Sequence, residues 1–238
     1  MTPFRLWVYL QTTPLFWLTA TLAAYLVADR IAQLAGRHPL VNPVAIAVAL
    51  IAALLRLTGA DYQTYFNGAQ FVHFLLGPAT VALAAPLYRN IGLVKRNLLP
   101  MAAALVVGAV VAIVSAVLVA KALGASPPVL VALAPKSVTT GVAMAVTEKL
   151  GGAPPLTAAL VIITGVIGAI IVTPLMNALR IEDYAARGFS AGLASHGIGT
   201  ARAFTVNPVA GVFAGIAMGL NAVVTPAILP FLLPWLIR

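Results

Sequence analysis

The sequence contains no cysteine. That excludes a disulfide framework, a thiol nucleophile and a redox pair. Acidic residues are almost as scarce: 5 Asp and Glu stand against 14 Lys and Arg in 238 residues, a formal net charge of +9. Charged residues of both signs make up 8% of the chain, against about 25% in an ordinary soluble domain. So few charges cannot clothe a globule of 24.5 kDa in water, and a soluble enzyme is excluded. Enzyme chemistry in general finds no footing. Ser195 and His196 are neighbours in the chain and cannot face one another as nucleophile and base. Three scattered histidines offer no metal-ligand spacing, and the glycines form no phosphate loop. No catalytic residue, metal or cofactor is expected. With no extramembrane face to carry a basic patch, nucleic acid is not expected as a partner either.

What the chain has is apolar length. Hydrophobic residues make up 62%, and the mean hydropathy is +1.04. A membrane-crossing helix needs about 20 mostly apolar residues, so the composition predicts an all-α, polytopic integral membrane protein of about seven or eight hydrophobic segments. These form a single transmembrane domain over residues 1–238. The runs are Leu15–Ala28, Pro39–Leu57, Gly68–Tyr88, Leu98–Leu123, Pro128–Val146, Leu156–Leu179, Ala185–Phe204 and Pro208–Ile237. The first ends in Asp29-Arg30 without a small-residue cleavage site, so it reads as a retained helix rather than a signal peptide. The last contains Pro226, Pro230 and Pro234 and is expected to kink or split.

Two kinds of segment alternate. The second, fourth and sixth are uniformly apolar and read as lipid-facing or scaffold helices. The third, fifth and seventh carry Gly, Pro and hydroxyl residues at membrane depth. Irregular backbone there is tolerated only where protein buries it or a wet cavity hydrates it. Broken or re-entrant helices are therefore expected, of the kind that lend backbone dipoles to a transported substrate. Sliding the chain by 57 residues aligns Pro78 with Pro135, Leu99 with Leu156, Gly108 with Gly165 and Ala112 with Ala169. That pattern points to an internal, inverted repeat, although Ala-rich segments also match at some positions by chance. The loop with Arg89, Lys95 and Arg96 is the densest cationic stretch and is assigned to the cytoplasmic side. If the fifth segment re-enters without crossing, Arg180 and Arg187 fall on that side too.

Ionisable groups inside such segments are costly and usually functional. Pro135-Lys136-Ser137-Val138-Thr139-Thr140 packs an ammonium and three hydroxyls behind a proline. A helix end here would gather backbone N–H groups around an anion. The alternative is a lysine that snorkels to the interface. Ser195-His196-Gly197-Ile198-Gly199-Thr200-Ala201-Arg202 is the second cluster. Arg202 suits the bidentate grip of a carboxylate, or else pairs with Glu148, Glu182 or Asp183. His196 is either a proton carrier or a neutral hydrogen-bonding spacer. His73 reads as a structural or interfacial histidine. No Asp or Glu lies in the middle of any hydrophobic segment, so the substrate sign follows from the charges: anions, not cations.

Several strings resemble the LrgB/CidB family of small bacterial membrane proteins. They are Phe74-Leu75-Leu76-Gly77-Pro78-Ala79-Thr80-Val81-Ala82-Leu83-Ala84 with Pro86-Leu87-Tyr88, then Pro135-Lys136-Ser137-Val138-Thr139-Thr140. Ala186-Arg187-Gly188, Ser195 to Ala203 and Ala217-Met218-Gly219-Leu220 complete the set. The similarity covers about residues 42–225. Gly141 stands where the family pattern has Pro, and Asn207-Pro208 falls in a stretch that is often acidic. The resemblance implies a multi-pass protein of the bacterial plasma (inner) membrane and two functional stories. One is an antiholin-like modulator of murein hydrolases and autolysis, acting with an LrgA/CidA-type partner. The other follows a plastid relative that translocates glycolate and glycerate. The cation-only broken segments favour the second. The expected function is alternating-access secondary transport of a small carboxylate anion of the glycolate, glycerate, pyruvate or lactate class. Thr80, Lys136, Ser137, Thr139, Thr140, Ser195, His196, Gly199, Thr200 and Arg202 would bind it, in a protein that works in the lipid bilayer as a homodimer.

Overall fold

The computed structural model describes residues 13–38, 40–75, 78, 81–82 and 88–238. Among these residues all regular structure is helical. The chain divides into two compact units, Met1–Ala84 and Ala85–Arg238.

The first unit contains α1 (Pro14–Leu34), α2 (Pro43–Thr58) and α3 (Tyr62–Phe74). Helix α1 runs on past Asp29 and Arg30, beyond the end of its hydrophobic run. Asp29 pairs with Arg37 in the following turn at 2.6 Å, so the charge ties down the turn instead of ending the helix. Asn42 caps α2 by accepting from the N–H groups of Val44 and Ala45 at 2.9 and 3.1 Å, with Pro43 preset at the first helical position. Trp17 is fully buried and meets Tyr65 edge to face at 5.8 Å, tying α1 to α3. The string around Gly77-Pro78 and Thr80 lies largely outside the described residues, as does the side chain of His73.

The second unit contains α4 (Ile91–Arg96), α5 (Leu98–Ala122), α6 (Pro127–Leu133), α7 (Thr140–Lys149), α8 (Pro154–Ala178), α9 (Tyr184–Val206) and α10 (Pro208–Ile237). Four described helices (α1, α5, α8 and α10) are long and apolar enough to cross a membrane. At 25 residues each, α5 and α8 span about 37 Å at 1.5 Å per residue, against a hydrocarbon core of about 30 Å. Ile163, Ile167, Ile171 and Leu175 form an exposed stripe on α8, while Thr157, Val161, Gly165 and Ala169 are buried. Lipid is as apolar as leucine, so helices associate here through close contact of small residues rather than by escape from water. The small buried stripe of α8 follows that rule.

Helix α10 departs from expectation. It is one continuous helix of 30 residues with Pro226, Pro230 and Pro234 inside it, not a split segment. Prolines four residues apart lie along one helix face, so the three missing N–H groups fall on a single stripe. Apolar packing through Leu229 and Leu233, both buried in a cluster with Ile113, Val117, Leu130 and Val131, holds the rest together.

Candidate functional site

The fifth segment is not a single helix. Pro135 interrupts it, and the chain turns through residues 134–139 between α6 and α7. Short bonds close the turn: Lys136 N–H donates to the Leu133 carbonyl at 3.0 Å and Val138 N–H to the Pro135 carbonyl at 3.2 Å. Beyond the turn, side chains of the two arms come back together. A Cβ placed on Gly152 would lie 2.7 Å from Val131 in α6 and 2.6 Å from Thr147 in α7. Val146 and Leu150 join the same apolar cluster as Leu130 and Val131. A straight rod would hold Val131 and Thr147 about 25 Å apart. The element is a helical hairpin with Lys136 and Ser137 at its tip.

The seventh segment does the same within α9. Backbone geometry leaves the helical region at Ser195 (φ −129°, ψ 16°) and His196 (φ 41°, ψ −132°). The Ala191 carbonyl oxygen lies 2.5 Å from where a Cβ on Gly199 would stand, which only a reversal permits. The entering arm runs parallel to α10, Gly188 against the backbone of Ala210 and Gly192 against that of Ala214. The returning arm runs antiparallel to α10, with Phe204 against Gly211 and Thr200 against Met218. A positive φ at a non-glycine residue costs about 1–3 kcal/mol. At His196 the ring offsets it: Nε2 bonds the Val161 carbonyl of α8 at 3.0 Å, and a carbonyl only accepts, so Nε2 carries the proton. Gly165 and Gly168 make room for this turn. A Cβ on Gly165 would stand 2.6 Å from the His196 ring, and one on Gly168 2.8 Å from Ser195 Cβ.

The two tips are joined by a residue that the sequence patterns did not single out. Asn221 of α10 is 1% exposed. Its Nδ2 donates to the Ser137 carbonyl at 3.3 Å and to the Leu193 carbonyl at 3.1 Å. Its Oδ1 accepts from the Thr225 hydroxyl at 2.7 Å. The Leu193 carbonyl is one that the break at Ser195 and His196 deprives of its helical donor. One amide thus serves both hairpins. The available signal was a lone Asn in an otherwise apolar run of 30 residues, immediately after the string Ala217-Met218-Gly219-Leu220.

Around this junction the structure gathers most of the expected residues. Lys136 is partly buried, and its ammonium donates to Ser137 Oγ at 3.2 Å and acts electrostatically on His196. Ser137, Ser195, His196, Gly199 and Thr200 are buried. The Thr200 hydroxyl is occupied in donating to the His196 carbonyl at 2.8 Å, so it offers lone pairs rather than a proton. Thr139 and Thr140 open α7, whose first N–H groups face the turn, with no side-chain cap at Thr139. The returning arm of α9 likewise begins at its tip. Each such helix start carries roughly half a positive charge. Two helix starts and one ammonium thus lie near the junction, and helix starts are general anion-binding elements.

Arg202 lies away from the tips, far along the returning arm of the second hairpin. It lines a shallow, half-open cleft between α8, α9 and α10, together with Arg187, Thr173 and Tyr184. Of its expected carboxylate alternatives, Asp183 caps α9 instead, accepting from the N–H groups of Ala185 and Ala186 at 2.6 and 3.2 Å. Thr80 lies outside the described residues. A second buried polar pair, also unmarked in the sequence, joins the base of the first hairpin to α8: Thr157 donates to Thr147 at 2.9 Å, both fully buried.

The LrgB-like family profile matches residues 21–235. A Bacillus subtilis protein, the uncharacterized YwbG, is 36% identical over 206 residues, covering 86% of this chain and 90% of that protein. The holin-like protein CidB of Staphylococcus aureus is 35% identical over 216 residues, covering 91% and 93%. CidB of Staphylococcus epidermidis is 34% identical over 216 residues with the same coverage. No solved structure matches the chain significantly.

Proposed function

This chain belongs to the LrgB-like family of bacterial multi-pass membrane proteins, and on that footing we propose that it is a secondary transporter of small monocarboxylates. The observation that carries the reading is the meeting of two hairpin tips at Asn221. Helices α5 and α8 each precede a hairpin. Both are 25 residues long, and the hairpin arms that follow them start at Pro127 and Tyr184, the spacing of the 57-residue sequence shift. This supports an inverted repeat, α5 with the first hairpin and α8 with the second, entering from opposite faces of the bilayer.

In the proposed mechanism a glycolate-, glycerate-, pyruvate- or lactate-sized acid lies between the tips. Its carboxylate sits at the start of α7 and of the returning arm of α9, beside the Lys136 ammonium. The hydroxyls of Ser137, Thr139, Thr140 and Ser195 meet the remaining oxygens. With Nε2 of His196 committed to Val161, Nδ1 is the atom that exchanges a proton with the site. Alternate withdrawal of one tip and then the other opens the site to each side in turn. If both hairpins return to the face they entered from, Arg89, Lys95, Arg96, Arg180 and Arg187 share one side, and Lys121, Lys149 and Arg238 the other. The positive-inside bias then places the second hairpin on the cytoplasmic face. The test is uptake of labelled glycolate and pyruvate into liposomes containing the purified protein. We expect saturable uptake, reduced about 100-fold or more by Lys136→Gln, as for the loss of one partner from a buried charge pair. Uptake that is absent, or unchanged in that variant, would reject the assignment.

The names of the CidB relatives, holin-like, favour a second reading: regulation of murein hydrolase activity and autolysis with an LrgA/CidA-type membrane partner. That reading expects no saturable uptake by the protein alone. It expects altered lysis on deletion that depends on the partner.

A further inference from the structure

We propose that the cleft holding Arg187 and Arg202 is a second oxyanion site, one that takes a single carboxylate or phosphate group between the two arms of the α9 hairpin. Arg187 comes from the entering arm and Arg202 from the returning one, and both line the same shallow, half-open cleft. No Asp or Glu is among the residues that line it. Two arginines that line one small cleft in a membrane protein carry like charge, and their repulsion grows as water is excluded. An oxyanion between them turns that repulsion into attraction.

Arg187 is held ready for that role. Its Nη2 donates to the Thr173 carbonyl at 3.3 Å and to Asn177 Oδ1, and its guanidinium lies 5.7 Å over the Tyr184 ring. These contacts fix the plane of the fork while using Nη2 alone, which leaves Nη1 and Nε for an acceptor in the cleft. Planar forks of this type match carboxylate and phosphate oxygens two at a time. The rest of the lining is apolar, chiefly Val172, Met176, Ala203 and Ala210, so the site accepts the charged end of an amphiphile or of a short acid. An occupant would staple the base of the hairpin together, at the end opposite its tip. The two sources of such a group are a free short-chain acid and an anionic lipid headgroup. The cleft itself does not depend on the transport reading; only the free-acid source does.

The full-length protein in neutral detergent at constant ionic strength is titrated separately with sodium glycolate, sodium phosphate and short-chain phosphatidylglycerol, and thermal stabilisation is followed against concentration. At least one is expected to stabilise the protein saturably. Its apparent affinity is expected to fall about 10-fold or more in both Arg187→Gln and Arg202→Gln. It should stay unchanged in Lys95→Gln, an exposed cation outside the cleft. Because the midpoint concentration is read rather than the baseline stability, a variant that is merely less stable does not mimic the effect. Arg202→Lys keeps the charge without the fork and is expected to fall between. Stabilisation by phosphatidylglycerol alone assigns the site to lipid, and by glycolate or phosphate to free anions. No saturable stabilisation by any of the three, or midpoints unaltered in both glutamine variants, overturns the proposal. Failure of glycolate uptake in liposomes with the cleft effect intact would reject the transport reading and leave this one standing.

Discussion

Replacing Asn221 with leucine tests the junction of the tips directly. Leucine has the same branched four-atom side chain with bulkier methyl ends, so the change removes hydrogen bonds without leaving a cavity. Three bonds go: those to the Ser137 and Leu193 carbonyls at 3.3 and 3.1 Å, and the one received from Thr225 at 2.7 Å. The Thr225 hydroxyl has a fallback, since a helical threonine can bond the carbonyl four residues earlier. The two carbonyls have none. A buried unsatisfied acceptor costs about 1–3 kcal/mol in soluble proteins, but interhelical hydrogen bonds in membranes average about 0.6 and reach about 1.7 kcal/mol. With two acceptors stranded, the expected loss for Asn221→Leu is about 1–3 kcal/mol, read by equilibrium unfolding in mixed detergent. Val223→Ala, on an exposed face of the same helix, is the control and should change stability by no more than about 0.5 kcal/mol. Pairing Asn221→Leu with Thr225→Val should show coupling of about 0.5 kcal/mol or more. Asn221→Leu with wild-type stability, or strict additivity with Thr225→Val, would refute the idea that this amide holds the tips.

Other contacts give outcomes that can be checked in the same way. Gly188→Ala and Gly192→Ala would each place a Cβ within 2.6 Å of the α10 backbone and should cost about 1–3 kcal/mol, whereas Gly219→Ala meets nothing and should be neutral or stabilising in the same unfolding assay. Thr157→Val strands the buried Thr147 hydroxyl, whereas in Thr147→Val the Thr157 hydroxyl keeps the Ala153 carbonyl as acceptor at 3.4 Å, so Thr157→Val should be the more destabilising of the two single variants. His196→Gly should be more stable than His196→Ala by about 1 kcal/mol, since both lose the bond to Val161 but only glycine accepts the positive φ freely. Asp61 caps α3 through the Thr64 N–H at 2.7 Å and its hydroxyl at 3.1 Å; these bonds hold its carboxyl below the ordinary value. The cap is therefore complete above the ordinary carboxylate range and is lost as pH falls through the lowered pKa, and amide exchange in the first turn of α3 should quicken only at acid pH.

Local chemistry made the breaks legible. Pro135 with a run of polar residues behind it could not continue a membrane helix, and the Gly-rich run after Ser195 invited an unwound stretch. Whether a broken helix continues or doubles back is set by what it packs against. That information lies in Gly152, Gly165 and Gly192, which look alike in the sequence. Asn221 escaped because a single amide in an apolar run announces a partner without naming it. Charge alone would place Arg202 with Lys136 at the junction of the tips, but its position on the returning arm, beyond the reversal, carries it to the Arg187 cleft. The prolines of α10 mislead for the opposite reason. Proline is a strong local breaker, but three in register on a packed helix are outvoted by the helix's tertiary contacts.

The seating of the entering arm of α9 on α10 has a mechanical consequence. Gly188 and Gly192 are spaced like Ala210 and Ala214, so the contact is a rack with teeth one helical turn apart, meshed backbone to backbone. A rack of this kind does not creep. Sliding by a fraction of a turn drives carbonyl oxygens into chain atoms that no rotamer change can move aside. The arm and α10 either travel as one piece or jump by about 5.4 Å to the next tooth. The first hairpin has side-chain contacts with α10 through Leu130, Val131, Leu229 and Leu233, and those are free to adjust by smaller increments. On the proposed transport reading, any gradual component of the cycle therefore belongs to the first hairpin, and any discrete one to the second.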